Sequence, residues 1–284
     1  MKIIRSVSEM QQWSTEIKNQ RNSIGFVPTM GALHQGHAEL FKKSVFDQDK
    51  TVVSIFVNAL QFNSAFDLEA YPRQLEDDII LANEMSVGVL FVPSPEEMYP
   101  PNFSSTISAG DIATQMEGLH RPGHFDGVAT VVVKLLHAVS PDIAYFGVKD
   151  FQQVAVIQHV VRDLNIRCEI EGVPTVRDEN GLALSSRNAR LTPEHLVEAR
   201  QIFRLLRELA EQCRTEHIIP EYIKSSFTSR LQSNSSAKVE YVEVVDSATL
   251  HPSLTATAGT TICVAVWFGD VRLIDNISID SPTS

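Results

Sequence analysis

Phe26–Leu40, FVPTMGALHQGHAEL, restricts the fold of this chain more than any other segment. An apolar run stops at Val27, a glycine-rich turn follows, and an amphipathic stretch opens near His37. Pro28 lacks an N–H and is expected to break the strand ladder, while Gly31 and Gly36 let the backbone turn tightly. A strand that runs through a glycine turn into a helix start is an architecture that grips phosphates. The unsatisfied N–H groups and the positive helix end both favour an anion. His34 and His37 stand three apart at that helix start and so share a face. Both imidazoles can then donate to phosphoryl oxygens that gain charge in a transition state. The plainer alternative is a turn carrying two exposed histidines.

The pattern His-x-Gly-His after a first strand resembles the signature of the nucleotidyl-transferring superfamily that includes class I aminoacyl-tRNA synthetases and several cofactor-synthesis enzymes. That superfamily cleaves a nucleotide between its α and β phosphates.

The rest of the first part alternates short apolar runs with helical patterns. Strands are expected over Ser23–Val27, Thr51–Val57, Val87–Val92, Ile143–Phe146 and Arg167–Glu171. Helices are expected over Ser8–Asn19, His37–Gln48, Arg73–Met85, Gly127–Val139 and Phe151–Leu164. That alternation predicts an α/β fold with a mostly parallel sheet and helices on both faces. Ligands then belong at the carboxyl ends of the strands, where His34, Asn58–Gln61 and Lys149 fall. After Pro174 the texture changes. A helix over Leu191–Cys213 is expected to start at Thr192-Pro193, and a second covers Pro220–Gln232. Strands follow at Val239–Val245, Thr261–Val266 and Arg272–Ile277, and the polar tail SIDSPTS is expected to fray. The expected division is 1–174 and a smaller α+β C-terminal domain over 175–284.

The 284 residues suffice for two such cores. The net charge of −11 repels phosphate backbones, and the lysines and arginines are scattered rather than gathered in a basic patch. The balance argues against a nucleic-acid partner and for a small anionic substrate drawn into a local positive pocket. Cys168, Cys213 and Cys263 lie far apart with no CxxC pair, which fits reduced thiols in a cytoplasmic protein. MKIIRSVSEMQQW reads as strand then helix and lacks the apolar core of a signal peptide. No uncharged run reaches the roughly 18 apolar residues of a membrane span, since Lys134 interrupts VATVVVKLLHAV.

Four more segments carry chemistry. In SIFVNALQF, Asn58 and Gln61 follow a buried strand, where amides either bind a hydroxyl or carboxylate or cap the loop. In LHRPGHFDGVATVVVK, Arg121, His124 and Asp126 cluster in a turn; Asp126 either caps the next helix or serves a site, and His124 either lines a pocket or packs. In FGVKDFQQ, Lys149 and Asp150 meet a helix start, with Gln153 one turn on. Lysine is a compact charge suited to phosphate, and the alternative is a solvated ion pair. In VRDENGLALSSRN, a turn leads to Ser185, Ser186 and Arg187, two hydroxyls and a guanidinium fork suited to triphosphate oxygens. That segment is either a mobile lid or a polar linker.

Taken in order, PTMGALHxGH, Asn-x-x-Gln-Phe, RPGHFDGVATVV, FGxKDxQQ, GLAxSSRN and RLIDN closely resemble the pantoate–β-alanine ligase family, from Phe26 to Asn276. The resemblance implies ATP-dependent condensation of pantoate with β-alanine through a pantoyl-adenylate. It also implies a Rossmann-like first domain, a C-terminal domain that closes over the site, Mg²⁺ and a homodimer. Carried over, it places ATP against Met30, Gly31, Ala32, Leu33, His34, Gln35, Gly36 and His37. ATP would further meet Gly147, Val148, Lys149, Asp150, Val176, Leu184, Ser185, Ser186 and Arg187. His37, His34, Lys149 and Arg187 are the implied catalytic set. Gln61 and Gln153 fall on pantoate-binding glutamines, and Asn58 and Tyr71 join them as substrate candidates. Asp77 either holds a metal-bound water or is a solvated helix charge. Ala59, Leu60, Val148 and Leu184 depart from common family residues, which touches pocket shape rather than reaction. The rival readings are another nucleotidyltransferase of the superfamily and a non-catalytic nucleotide-binding module.

Overall fold

The computed structural model describes residues 1–280 and divides into two compact units, Met1–Val148 with Gln152–Pro174, and Lys149–Phe151 with Thr175–Ser284. The first unit is built on one parallel sheet of strand order β1-β4-β3-β2-β5-β6. Its strands are β1 (Lys2–Ile4), β2 (Ile24–Thr29), β3 (Lys50–Ile55), β4 (Val89–Phe91), β5 (Ile143–Gly147) and β6 (Glu169–Val173). The helices between them are α1 (Val7–Asn19), α2 (Gln35–Asp47), α3 (Ala65–Glu69), α4 (Leu75–Glu84), α5 (Pro95–Met98), α6 (Glu117–His120), α7 (His124–Val139) and α8 (Phe151–Asp163).

The expected α/β architecture is present, with shifts that have local causes. Pro28 does not end its strand: pairing with β3 continues through Thr29, whereas pairing with β5 stops at Phe26. The proline therefore sits where one neighbour is gone, the place a central strand tolerates a missing N–H. Helix α2 opens at Gln35 rather than near His37, because His34 is its N-cap. Helix α7 opens at His124 rather than Gly127, after Gly123 takes a left-handed φ of 78°. It is buried along most of its length, as expected of a helix apolar all round. Asp126 does not cap it; its Oδ1 accepts the Ala109 N–H at 3.0 Å. β2, β3 and β5 are neighbours in one parallel sheet, so the turns after Thr29, Ile55 and Gly147 leave the same edge.

The second unit packs α9 (Pro193–Ala199), α10 (Gln201–Thr215) and α11 (Pro220–Gln232) with an antiparallel sheet of order β7-β8-β9. Its strands are β7 (Lys238–Asp246), β8 (Thr260–Phe268) and β9 (Val271–Ser278). The single helix expected over Leu191–Cys213 is interrupted at Arg200, whose N–H turns to the Glu198 carbonyl. Strand β9 alternates buried and half-buried side chains, the period of a sheet with one face on the core. Against the expected frayed tail, Ile279 is buried and its N–H reaches Thr260 O at 3.0 Å; the last part of SIDSPTS lies outside the described residues. None of the three cysteines is in a disulfide, and burial pushes the Cys168 thiol up to about 12. Among the described residues no helix is long and apolar enough to cross a membrane.

Candidate active site

Two side chains hold the turn after β2 in shape. Thr29 Oγ1 accepts the Gly31 N–H at 3.2 Å and donates to Ser54 O at 2.7 Å. Asp78, from the first turn of α4, accepts the N–H groups of Ala32 at 3.1 Å and Leu33 at 2.7 Å. Gly31 has φ +80°, and a Cβ there would lie 2.9 Å from Asp78 Oδ2, so only glycine fits. Asp78 is 1% exposed. Burial pushes its carboxyl above the ordinary carboxylate range, and the bonds from Leu33 and Ala32 oppose that rise. Asp78→Ala is expected to cost about 2–6 kcal/mol, since it orphans two donors and each orphaned buried donor costs about 1–3 kcal/mol. Urea unfolding checks this; an unchanged midpoint would mean the turn keeps its shape without the carboxylate.

The two imidazoles are then fixed by the helix they start. His34 Nδ1 accepts the Gly36 N–H at 3.1 Å, and His37 Nδ1 accepts the His34 N–H at 3.3 Å. Together they form a reciprocal capping box. With Nδ1 accepting in both rings, the hydrogen-bond network assigns each neutral proton to Nε2. The ring centroids lie 4.2 Å apart. The site thus has two N–H donors on one face at the positive end of α2.

The turn after β3 carries the amides. Asn58 Nδ2 donates to Gln61 Oε1 at 2.9 Å and to Gly127 O at 3.1 Å. Its Oδ1 accepts from Tyr99 Oη at 2.6 Å and from the Leu60 N–H at 3.3 Å. Asn58, 1% exposed, is therefore committed to holding Gln61. Gln61 Nε2 points to Met30 Sδ at 3.2 Å, toward the histidine turn. His124 Nδ1 bonds Gln61 O at 2.7 Å and Arg121 Nη2 donates to the same oxygen at 3.3 Å, so the turn is gripped from α7 as well. A Cβ on Gly127 would come within 2.4 Å of Leu60 O, and only glycine lets α7 approach this closely. The Tyr71 ring packs edge-on against Phe62. Gln153 is half-buried on α8 beside Gln152, whose side chain is spent on Glu117 N and the carbonyls of Ile112 and Gln115. Asp77 is exposed next to buried Asp78. Among the described residues, no three or more His, Cys, Asp or Glu side chains are grouped to hold a metal ion.

In the second unit, Lys149 ends up with the serine-arginine segment. Lys149, Ser185, Arg187, Asn188 and Asp275 line one small cavity. The Lys149 ammonium stands 3.7 Å from Asp150 and its side chain is 17% exposed. Arg177 and Ala183 pair across the Asp178–Gly181 turn, and Leu184 N donates to Val176 O at 2.9 Å. Ser185 Oγ accepts the Arg187 N–H at 3.2 Å and so caps the short turn Ser186–Arg190. In the first unit, half-buried Gly147 ends β5 and half-buried Val148 follows it.

Four contributors were missed by reading the sequence. Asp78 had a signal: it shares the apolar face of α4 with Leu75, Ile79 and Ala82, an odd place for a carboxylate. Arg177 and Asp275 lie in the VRDENGLALSSRN and RLIDN segments but were given no role there, and Tyr99 had no signal, because the partners of all three lie far away in the chain.

Comparison with known proteins adds the family context. The family model described as "Pantoate-beta-alanine ligase" matches residues 2–278. Pantothenate synthetase of Thermotoga petrophila is 43% identical over 97% of this chain and 99% of its own. That of Staphylococcus haemolyticus is 43% identical over 99% of each. Among solved structures, pantothenate synthetase from Thermus thermophilus superposes with a TM-score of 0.91 at 40% identity, covering 98% of this chain and 99% of that one. A pantoate-beta-alanine ligase from Francisella tularensis, solved in complex with beta-gamma ATP and beta-alanine, has a TM-score of 0.83 at 37% identity, covering 99% of each.

Proposed function

Because the chain belongs to the pantoate–β-alanine ligase family and joins pantoate to β-alanine at the expense of ATP, we propose that it works through a pantoyl-adenylate. The observation that carries the chemistry is the capping box, whose two imidazoles keep their protons on Nε2. In the first step a pantoate carboxylate oxygen attacks the α-phosphorus, and the α–β phosphoanhydride breaks to release pyrophosphate. In the second, the β-alanine amine attacks the acyl carbon, loses a proton, and AMP leaves. Both first-step reactants are anions, so catalysis is charge neutralisation and in-line positioning.

Met30–His37, Gly147–Asp150, Val176 and Leu184–Arg187 form the ATP site in this reading. His34 and His37 donate from Nε2; Lys149 and Arg187 bring charge; Ser185 and Ser186 bring hydroxyls. Gln61 and Gln153 take pantoate, with Tyr71 beside them and Asn58 fixing the Gln61 amide. The segment 175–284 acts as a lid over 1–174 and shields the anhydride from water. The residues fit Mg²⁺ only as an ion carried by nucleotide phosphates, since no cage of side chains is present among the described residues. Asp77, exposed in the first turn of α4, would hold it through water. When bound, the metal neutralises phosphate charge. A homodimer follows from family likeness, and a cytoplasmic location from that likeness together with three cysteines outside any disulfide.

The test is ATP/pyrophosphate exchange. It should require pantoate and proceed without β-alanine; exchange without pantoate, or none until β-alanine is added, would overturn the adenylate route. Gln61→Ala should raise the pantoate KM more than the ATP KM, because in this reading Gln61 takes pantoate and its amide only borders Met30 of the ATP turn. Steady-state titration of each substrate checks it, and the reverse pattern removes Gln61 from the pantoate site.

A further inference from the structure

We propose that Asn276 is a positioning residue for Lys149, and that Asp275 and Asn276 together bracket both phosphate-binding segments of the second unit against one strand. The proposal rests on the reading that Lys149 and Ser185–Arg187 meet ATP. Lysine carries its charge on a flexible stem, so the ammonium is only as well placed as its main chain. Here that main chain is one short turn, Val148–Asp150, lodged directly between the end of β5 and the start of α8. Asn276 Nδ2 donates to the Lys149 carbonyl at 3.0 Å, an anchor 127 residues away in the chain.

The neighbouring residue serves the other segment. Asp275 is 4% exposed and accepts both prongs of Arg177, at 2.7 and 2.8 Å. Arg177 also donates to Gly181 O at 3.1 Å and lies over the Phe203 ring at 3.5 Å. It is thereby fixed at the base of the turn that leads to Ser185 and Arg187. Successive residues of a strand face opposite sides, so two adjacent positions on β9 reach two different segments. The Asn276 N–H closes the pair by donating to Asp275 Oδ1 at 2.8 Å.

The test is a double-mutant cycle on the full chain, read by pantoate-dependent ATP/pyrophosphate exchange. Asn276→Ala is expected to slow exchange by roughly 10-fold or more, inside the 10²-fold that a misplacement of about 1 Å costs, with the pantoate KM unchanged. In a Lys149→Ala background the same substitution should then cost nearly nothing, because the group it aims is gone. Asn276→Asp, which keeps the volume and donates nothing to the carbonyl, should be at least as impaired as Asn276→Ala. Full activity in Asn276→Asp, or a loss in the double variant equal to the sum of the singles, would overturn the positioning role. A wild-type chain without pantoate-dependent exchange would instead overturn the adenylate reading beneath it.

Discussion

Lys149→Ala is expected to slow pantoate-dependent ATP/pyrophosphate exchange by roughly 10²–10³-fold, the loss that follows removal of one transition-state donor. A carboxylate attacking a triphosphate brings negative charge onto negative charge. That charge moves onto the leaving pyrophosphate only as the bond breaks, so a cation aimed there acts more on the transition state than on bound ATP. The Asp150 carboxylate lies 3.7 Å from the ammonium and its side chain is 48% exposed. At that length, and with its carboxylate side open to solvent, the pair holds little energy and leaves the lysine available to an incoming anion. The deficit should therefore appear in the exchange rate, with a smaller change in ATP KM. Lys149→Arg should not restore the rate, since a planar fork cannot take the place of a compact point charge. Exchange at wild-type speed in Lys149→Ala would remove this residue from the chemistry.

What could be read from the sequence was local. The turn from β2 into α2 was legible because a strand end, glycines and a helix start lie within one short segment. The strand at β9 and the Thr192-Pro193 start of α9 were legible for the same reason. Pro28 misled because a proline's cost depends on which neighbour needs its N–H, and β5 stops pairing before it. The α2 start was placed late because a histidine is an unusual N-cap, and its capping role shows only once Nδ1 is seen accepting the Gly36 N–H.

The site followed the same rule. Asn58 was legible as an amide past a strand end, but its partner Tyr99 was not, nor was the bond between Asp275 and Arg177 across most of the second unit. These links close only after two sheets have formed, and no spacing in the chain encodes them. The Tyr99 link also fixes Asn58, whose Nδ2 holds the Gln61 oxygen so that the Gln61 nitrogen points at Met30.

The histidines offer a cleaner separation of structure from chemistry than alanine would. His34 and His37 each do two things: Nδ1 caps α2, and Nε2 carries the proton proposed to meet phosphate. Alanine removes both, and losing an N-cap alone costs about 1 kcal/mol. Asparagine is among the best N-caps, so His34→Asn keeps an acceptor for the Gly36 N–H while removing the imidazole. Glutamine at the third helical position reaches back to the N-cap N–H, so His37→Gln keeps the other half of the box. Thermal unfolding of both variants should stay close to wild type. Exchange should nevertheless fall by roughly 10²–10³-fold in each, the loss of a donor aimed at developing charge. Retained exchange in His37→Gln with an intact fold would reduce the pair to helix caps and leave Lys149 and Arg187 as the groups acting on the α-phosphorus.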